Sequence, residues 1–185
     1  MGALPMNTYH LKEDIKRIAK LAAGVTEAFT SAVLLPVGFL GSSGSSLLSV
    51  TTPSDSGRTK RESLEIFGAH SLASSLIRDC RIPVGAGLLG WVAESGQPIH
   101  LAPFESENTS IGIYAANEEI RSLIAVPIPL PIESTGGVEV FGVLMCDSRT
   151  SSSFSKTQIK NLEEVGQLAS RLLFWGLMRR DVLSA

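Results

Sequence analysis

Six residues near the middle of the chain have the spacing of a phosphate-binding loop. Gly85-Ala86-Gly87-Leu88-Leu89-Gly90 satisfies the G-x-G-x-x-G pattern, in which a glycine turn brings backbone N–H groups to the phosphates of a dinucleotide. That chemistry needs a helix that returns to a parallel strand, and an acid about 20 residues on for the ribose. Here the apolar helix stops at Gly96, and Glu105 and Glu107 lie in a polar segment. We therefore interpret the glycines as a tight turn and as close packing of a short helix on a sheet.

The other chemically capable side chains form no recognisable constellation. The three histidines have no second ligand at metal-binding spacing, and they are His10, His70 and His100. Cys80 and Cys146 belong to no C-x-x-C pair, which argues against a disulfide framework and a cysteine zinc site. No G-x-S-x-G elbow occurs, and Asp147 and Glu163 have no obvious acid/base partner. We expect no catalytic residue and no metal site.

Two helices at the ends of the chain are predicted to frame these residues. Apolar positions from Tyr9 to Phe29 recur at spacings of three and four, which indicates an amphipathic helix. Ser155 to Leu183 is predicted to be one long helix, with Ser155 as N-cap and Gln158 completing a capping box. Apolar residues cover more than one face of this second helix, so a single sheet cannot cover them all.

The strands between these helices show no regular alternation with long crossover helices, which favours a mostly antiparallel α+β sheet. The most strongly predicted pair, Ser122 to Leu130 and Val138 to Asp147, reads as a hairpin. Further strands are predicted at 30–37, 64–70, 80–84 and 98–102, with a short helical link at 74–79 and a short helix at 88–94. The Gly/Ser-rich residues 41–63 are predicted to be a long flexible loop within one domain, 1–185, whose core is 12–174.

The bulk composition excludes several classes of protein. A 185-residue chain with 44% hydrophobic and 18% charged residues is typical of one compact domain rather than a disordered chain. A net charge of -2 gives no broad attraction for nucleic acid, and no apolar run approaches the roughly 20 residues that span a bilayer. The first residues lack the plan of a signal peptide, so we expect a cytoplasmic protein without a nucleic-acid or membrane partner.

Three separated runs carry a resemblance to a known family. The runs RIPVGAGLLGWVAESGQPIHL, SLIAVPIPL and FGVLMCDSRTSSSFSKTQIKNLEEVGQLAS resemble, in this order, GAF domains, which are small-ligand sensory modules upstream of signalling output domains. The resemblance covers roughly Lys12 to Phe174. It implies a GAF-like (PAS-like) central antiparallel sheet of about six strands, with the N- and C-terminal helices packed on one face and a ligand pocket on the other.

The resemblance also implies a location for the ligand. The short helix 88–94 and the segment 104–119 would roof the pocket, with five candidate ligand-binding residues, Trp91, Ile111, Ile113, Tyr114 and Asn117. Packing in the core is the alternative role for Trp91, because aromatic side chains at helical spacing are commonly core residues. The cofactor is unknown, because GAF pockets accept very different molecules.

The chain departs from the specialised branches of the family. Cyclic-nucleotide-binding members carry Asn-Lys after the last strand and a later Asp-Glu pair, whereas the corresponding residues here are Ser148-Arg149 and Gln158-Ile159. Bilin-binding members attach pigment through a cysteine commonly followed by His, a pair that neither cysteine forms. Free methionine sulfoxide reductases carry a cysteine where Leu89 stands, and another in a segment that has none here. Cys80 alone cannot supply a thiol cycle of nucleophile and resolving partner.

We therefore expect a noncatalytic sensory or regulatory domain. It would bind a small molecule and form a homodimer through its N- and C-terminal helices. These helices would relay the occupancy of the ligand pocket to a downstream output domain in signal transduction. One alternative is a ligand-free dimerisation or protein-interaction module whose pocket is filled by its own side chains. A less favoured alternative is an enzyme like the free methionine sulfoxide reductases. Because the sequence ends in a predicted helix, we also expect a piece of a longer protein.

Overall fold

The computed structural model describes residues 6–39, 63–105, 111–130, 140–151 and 153–182. In chain order the elements are helix α1 (Met6–Thr26), strands β1 (Thr30–Pro36), β2 (Ser63–Ser71) and β3 (Arg81–Pro83), helix α2 (Gly87–Ser95), strands β4 (Ile99–Leu101), β5 (Ser122–Pro129) and β6 (Val140–Ser148), and helix α3 (Lys156–Val182). The predicted flexible loop at 41–63 lies outside the described residues except for Ser63, which begins β2.

The six strands form one sheet in the order β3-β2-β1-β6-β5-β4, and every neighbouring pair is antiparallel. This confirms the predicted fold class. Strand β1 lies inside the sheet, where Thr30 pairs with Ser71 of β2 on one side and with Asp147 of β6 on the other. All seven residues of β1 are buried, because its apolar side chains are covered on both faces of the sheet.

Helices α1 and α3 share an apolar core with one face of the sheet, which we call the helix-side core. Leu11 and Ile15 of α1, Leu162 and Leu173 of α3, and Leu144 of β6 are among its members. The Gln158 side-chain amide donates to the Thr26 carbonyl at 3.1 Å, which ties the start of α3 to the end of α1.

The predicted capping box at the start of α3 is confirmed. The Gln158 N–H donates to the Ser155 hydroxyl at 3.3 Å, while the Gln158 side-chain oxygen accepts the Ser155 N–H at 2.9 Å. This reciprocal pair satisfies two N–H groups that the first helical turn leaves without partners. The local sequence therefore fixes where α3 begins.

The opposite face of the sheet carries a second apolar cluster, which we call the roof-side core. It joins alternate residues of the central strands to helix α2 and to residues 111–120, and its fully buried members include Leu89, Val92, Ile113, Val143 and Met145. The strands alternate between the two cores: Val143 and Met145 of β6 face the roof side, and Leu144 and Cys146 face the helices.

The predicted helical link at 74–79 is wrong. Leu76 instead forms an isolated antiparallel bridge with Tyr114, and the Ile77 N–H donates to the Ile113 carbonyl at 2.8 Å. The backbone of this segment thus makes hydrogen bonds to a distant segment rather than within a helical turn, and spacing along the sequence does not reveal such a partner.

Across the described residues, no helix is both long and apolar enough to cross a membrane.

Candidate functional site

The glycine-rich turn before α2 makes its hydrogen bonds internally. The Gly85 N–H donates to the Gly90 carbonyl at 2.9 Å, and the Ala86 N–H donates to the Pro83 carbonyl at 3.1 Å. Gly85 has a φ of 85°, which favours glycine. A Cβ at Gly90 would lie 2.2 Å from the Pro83 carbonyl oxygen. The interpretation of the motif as a tight turn under a closely packed helix is confirmed, and two of the N–H groups that a phosphate would need are already used.

We call residues 111–120 the roof segment, because they lie with α2 over the roof-side core. Three of the predicted binding residues meet here: Ile111 and Ile113 are buried in this core, and the half-buried Tyr114 packs against it. Trp91 of α2 is 44% exposed. Asn117 is exposed, and its side-chain oxygen accepts the Glu119 N–H at 2.9 Å. The structure therefore brings three candidates together and leaves two at the surface, and their roles stay predictions.

A carboxylate that is not among the predicted binding residues lies directly beneath the roof segment. Asp147 of β6 is fully buried. Its Oδ2 accepts the Tyr114 hydroxyl at 2.5 Å, and its Oδ1 accepts the Thr30 backbone N–H at 3.1 Å. Asp147 thus has the partner that sequence spacing did not show, because Tyr114 lies in a different part of the chain.

Burial dominates the electrostatics of this pair. It raises the pKa of Asp147 from 3.8 to about 7, although the hydrogen bonds from Tyr114 and from the Thr30 amide act to lower that pKa. Burial also raises the pKa of the Tyr114 phenol, and the neighbouring Asp147 charge raises it further. Tyr114 therefore remains a neutral donor at physiological pH, while Asp147 titrates close to neutrality.

A second polar contact joins the roof segment to the end of β6. Glu118 accepts hydrogen bonds from the Ser75 hydroxyl and from the Arg149 guanidinium, the latter at 2.5 Å. Hydrogen bonding from Ser75 is the main cause that lowers the pKa of Glu118, with Arg149 adding to it. The Arg149 guanidinium also lies 4.0 Å from the centroid of the Phe29 ring. This contact places a paired carboxylate beside the buried one.

The thiols are poorly placed for nucleophilic chemistry. Cys80 and Cys146 are both buried. Desolvation raises the pKa of Cys80, and it raises the pKa of Cys146 to about 11. Since the thiolate is the reactive form, little of either side chain is reactive at neutral pH. In the part of the chain that the structure describes, no three histidine, cysteine or acidic residues are grouped so that they could hold a metal ion.

One sequence signal pointed toward Asp147. Asp147 is the last residue of the run FGVLMCD, whose remaining residues are all apolar or glycine. Strand β6 is buried along its whole length. A carboxylate inside such a run needs a partner, because a buried charge without hydrogen bonds is costly. The pattern predicts that some donor reaches Asp147, but it does not identify Tyr114.

Comparisons with known proteins agree with this architecture. The chain matches the family model described as GAF domain over residues 20–173. It is similar to the solved GAF domain of a phosphoenolpyruvate-protein phosphotransferase from Acinetobacter, with 13% identity, a TM-score of 0.62, and coverage of 88% of this chain and 81% of that chain. For the GAF-B domain of DevS from Mycobacterium smegmatis the identity is 15%, the TM-score 0.61, and the coverage 95% and 98%.

Similarity extends to an enzyme with the same fold. A free methionine-R-sulfoxide reductase from Neisseria meningitidis, solved in complex with its substrate, has 18% identity and a TM-score of 0.59, with 96% of this chain and 89% of that chain covered. Identities this low show a shared fold alone. A search of curated protein sequences finds no match.

The fold and the family model together define the class of protein: a six-stranded antiparallel sheet between two terminal helices and a roof. The chain belongs to the GAF domain family.

Proposed function

We propose that this chain is a noncatalytic, cytoplasmic sensory domain that binds a small molecule beneath α2 and the roof segment. Helices α1 and α3 relay the binding of this molecule to an output domain. The observation that carries the proposal is the division of the sheet: one face is covered by the roof-side core, and the other by the terminal helices. In this proposal, the roof-side face binds the ligand and the helix-side face takes part in signalling.

The central strands offer a direct route between these faces. In β6, Met145 contributes to the roof-side core, and the adjacent Leu144 and Cys146 contribute to the helix-side core. Protein interiors are packed as densely as organic crystals, so a strand displaced on one face moves its neighbours on the other. A ligand that shifts β6 would therefore shift the surface on which α1 and α3 rest.

Native mass spectrometry of the purified protein tests for a bound molecule. We expect a mass above that of the polypeptide, which is 19.7 kDa, with the excess lost on denaturation. The variant Tyr114→Ala is expected to reduce the bound fraction about tenfold or more, because Tyr114 is the aromatic candidate that packs against the roof-side core. Leu72→Ala is the control, since Leu72 is 71% exposed and follows β2, outside the roof segment.

One observation favours the second candidate, a ligand-free interaction module. Leu89, Val92 and Ile113 are fully buried, so side chains of the chain itself occupy much of the space beneath the roof. A spectrum that contains only the bare polypeptide, for protein isolated from cell extract without ligand removal, would contradict the sensory proposal and favour this module. Equal loss of bound molecule in the Tyr114 and Leu72 variants would contradict binding beneath the roof segment.

We further propose that the relay operates in a homodimer. Helix α3 exposes Leu168, Leu172 and Trp175, which follow one another at spacings of four and three residues, and Leu168 and Trp175 are 57% and 70% exposed. Spacings of four and three place side chains along one stripe of a helix. A parallel pairing of two such stripes would bury this surface and continue into a downstream domain.

The double substitution Leu168→Glu and Trp175→Glu tests the dimer. We expect the dissociation constant, measured by sedimentation equilibrium, to rise at least about 30-fold, because charges replace central apolar contacts. Leu72→Glu is the control, since Leu72 is also exposed but follows β2, outside both helices. A wild-type protein that stays monomeric at high concentration, or equal weakening by the control, would contradict a dimer formed through α3.

A further inference from the structure

The backbones of Tyr114 and Asp147, which form the contact, differ in how they are held: Asp147 lies in a central strand, whereas Tyr114 lies in the roof segment. The backbone of Asp147 is fixed between two strands, paired with Thr30 on one side and Leu123 on the other. Tyr114 belongs to the roof segment, whose backbone is joined to residues 75–77 by the Leu76–Tyr114 bridge and by the Ala115 N–H, which donates to the Ser75 carbonyl at 2.9 Å. Any separation of the pair therefore moves the roof segment and leaves the carboxylate in place.

Three side-chain hydrogen bonds in the described residues attach the roof segment to β6 and the residue after it. Tyr114 donates to Asp147, and Arg149 donates both to the Glu118 carboxylate and, at 2.9 Å, to the Glu118 backbone carbonyl. The Arg149 side chain is 51% exposed, so solvent weakens its ion pair with Glu118, whose own side chain is 8% exposed. Tyr114–Asp147 involves a fully buried carboxylate, so its strength depends strongly on the charge of that group.

We propose that the Tyr114–Asp147 hydrogen bond is a releasable contact that holds the roof segment closed, and that ionisation of Asp147 favours opening. Closure surrounds the carboxylate with the roof, and opening returns it to water. Opening of the roof segment would admit the ligand, and this role rests on the proposed ligand-binding function. The opening itself does not depend on a ligand.

The charged groups around Asp147 set the direction of the effect. The Tyr114 hydroxyl and the Thr30 amide favour the ionised form, as does Arg149, whereas burial and the nearby Glu118 charge oppose it. Burial prevails and raises the pKa of Asp147 to about 7 in the closed structure. A carboxyl group whose pKa is higher when closed stabilises closure in its protonated form. The closed roof is therefore favoured at lower pH and loses that advantage as pH rises through about 7.

Hydrogen exchange without added ligand measures this opening directly. After correction for intrinsic rates, we expect protection of the peptide spanning 111–120 to fall about tenfold between pH 6 and pH 8.5, while peptides from β1 and β6 stay better protected than this peptide at both pH values. Tyr114→Phe removes one donor to the carboxylate, and we expect about tenfold faster exchange of the roof peptide at pH 8.5 with a smaller change at pH 6. The Ala115 amide is the natural reporter, because it donates to Ser75.

Glu164→Gln is the matched control, because it removes an exposed carboxylate of α3 that is 3.9 Å from Lys160. Its roof peptide should exchange as in the wild type. Protection that does not depend on pH, or an unchanged rate in Tyr114→Phe, would overturn the proposal. Equal protection of the roof peptide and of the β1 and β6 peptides at both pH values would also overturn it, since the roof would then open only by global unfolding. Because no ligand is present, these outcomes are independent of the mass-spectrometric test of binding.

Discussion

The Gly90→Ala variant is expected to lose about 3 kcal/mol of unfolding free energy from a change of one methyl group. The added Cβ would lie 2.2 Å from the Pro83 carbonyl oxygen and 3.2 Å from the Gly85 nitrogen. Both of these are backbone atoms, so no flexible side chain can rotate away. Relief requires α2 to move off the turn, which would break the hydrogen bond from the Gly85 N–H to the Gly90 carbonyl. Urea unfolding followed by circular dichroism measures the loss.

Gly24→Ala is the matched control for this substitution. Gly24 lies in α1, and a Cβ there would meet nothing within 4 Å. Alanine is the better helix former, so we expect this variant to gain about 0.5–1 kcal/mol of stability. If Gly90→Ala unfolds at the wild-type urea concentration, the close approach of α2 to the β3 turn is contradicted.

The order of the elements was predictable because it depends on short-range patterns. The run TSAVLLP is apolar on both faces, which is typical of a strand inside a sheet, and Ser155 with Gln158 marks the start of α3. The G-x-G-x-x-G match predicts no phosphate site because the helix after it is too short, and α2 ends at Ser95. Each of these features depends on residues that lie within about ten positions of it in the sequence.

The site was less predictable because its contacts join distant parts of the chain. Tyr114 is a predicted binding residue, but its partner Asp147 lies 33 residues away, and no spacing rule relates the two. Residues 74–79 lack helical structure because their backbone pairs with the roof segment. Trp91 lies on a short helix and Asn117 in a segment without helix or strand, and in neither can periodicity show which side chains face inward. α2 buries Leu89, Gly90 and Val92 and leaves Trp91 at the surface.

The Asp147→Asn variant is expected to become more stable relative to the wild type as pH rises. The pKa of Asp147 is about 7 in the folded protein, against 3.8 without these surroundings. A group whose folded pKa is raised contributes stability that is complete below its unfolded pKa and is lost as pH rises through the folded pKa. Between pH 5 and pH 8 the stability of the wild type should therefore fall by about 2–3 kcal/mol relative to the asparagine variant.

Asparagine suits this comparison because it has the shape of aspartate and no charge. Its side-chain oxygen can accept the Thr30 N–H, and its amide group can donate to the Tyr114 hydroxyl oxygen, so both polar neighbours keep a partner. Glu118 acts in the opposite direction, because its pKa is lowered from 4.5, but it is present in both proteins and titrates below this pH range. The difference between the two proteins thus isolates Asp147.

Urea unfolding of both proteins at several pH values from 5 to 8 measures this difference, with Glu164→Gln as the control for loss of an exposed carboxylate. The control should follow the wild type at every pH. Parallel curves for wild type and Asp147→Asn would show that burial does not shift the pKa of Asp147. A wild type that gains stability relative to the variant with rising pH would show that Tyr114 and Thr30 outweigh burial, so that the closed roof favours the charged carboxylate and ionisation of Asp147 would not favour opening.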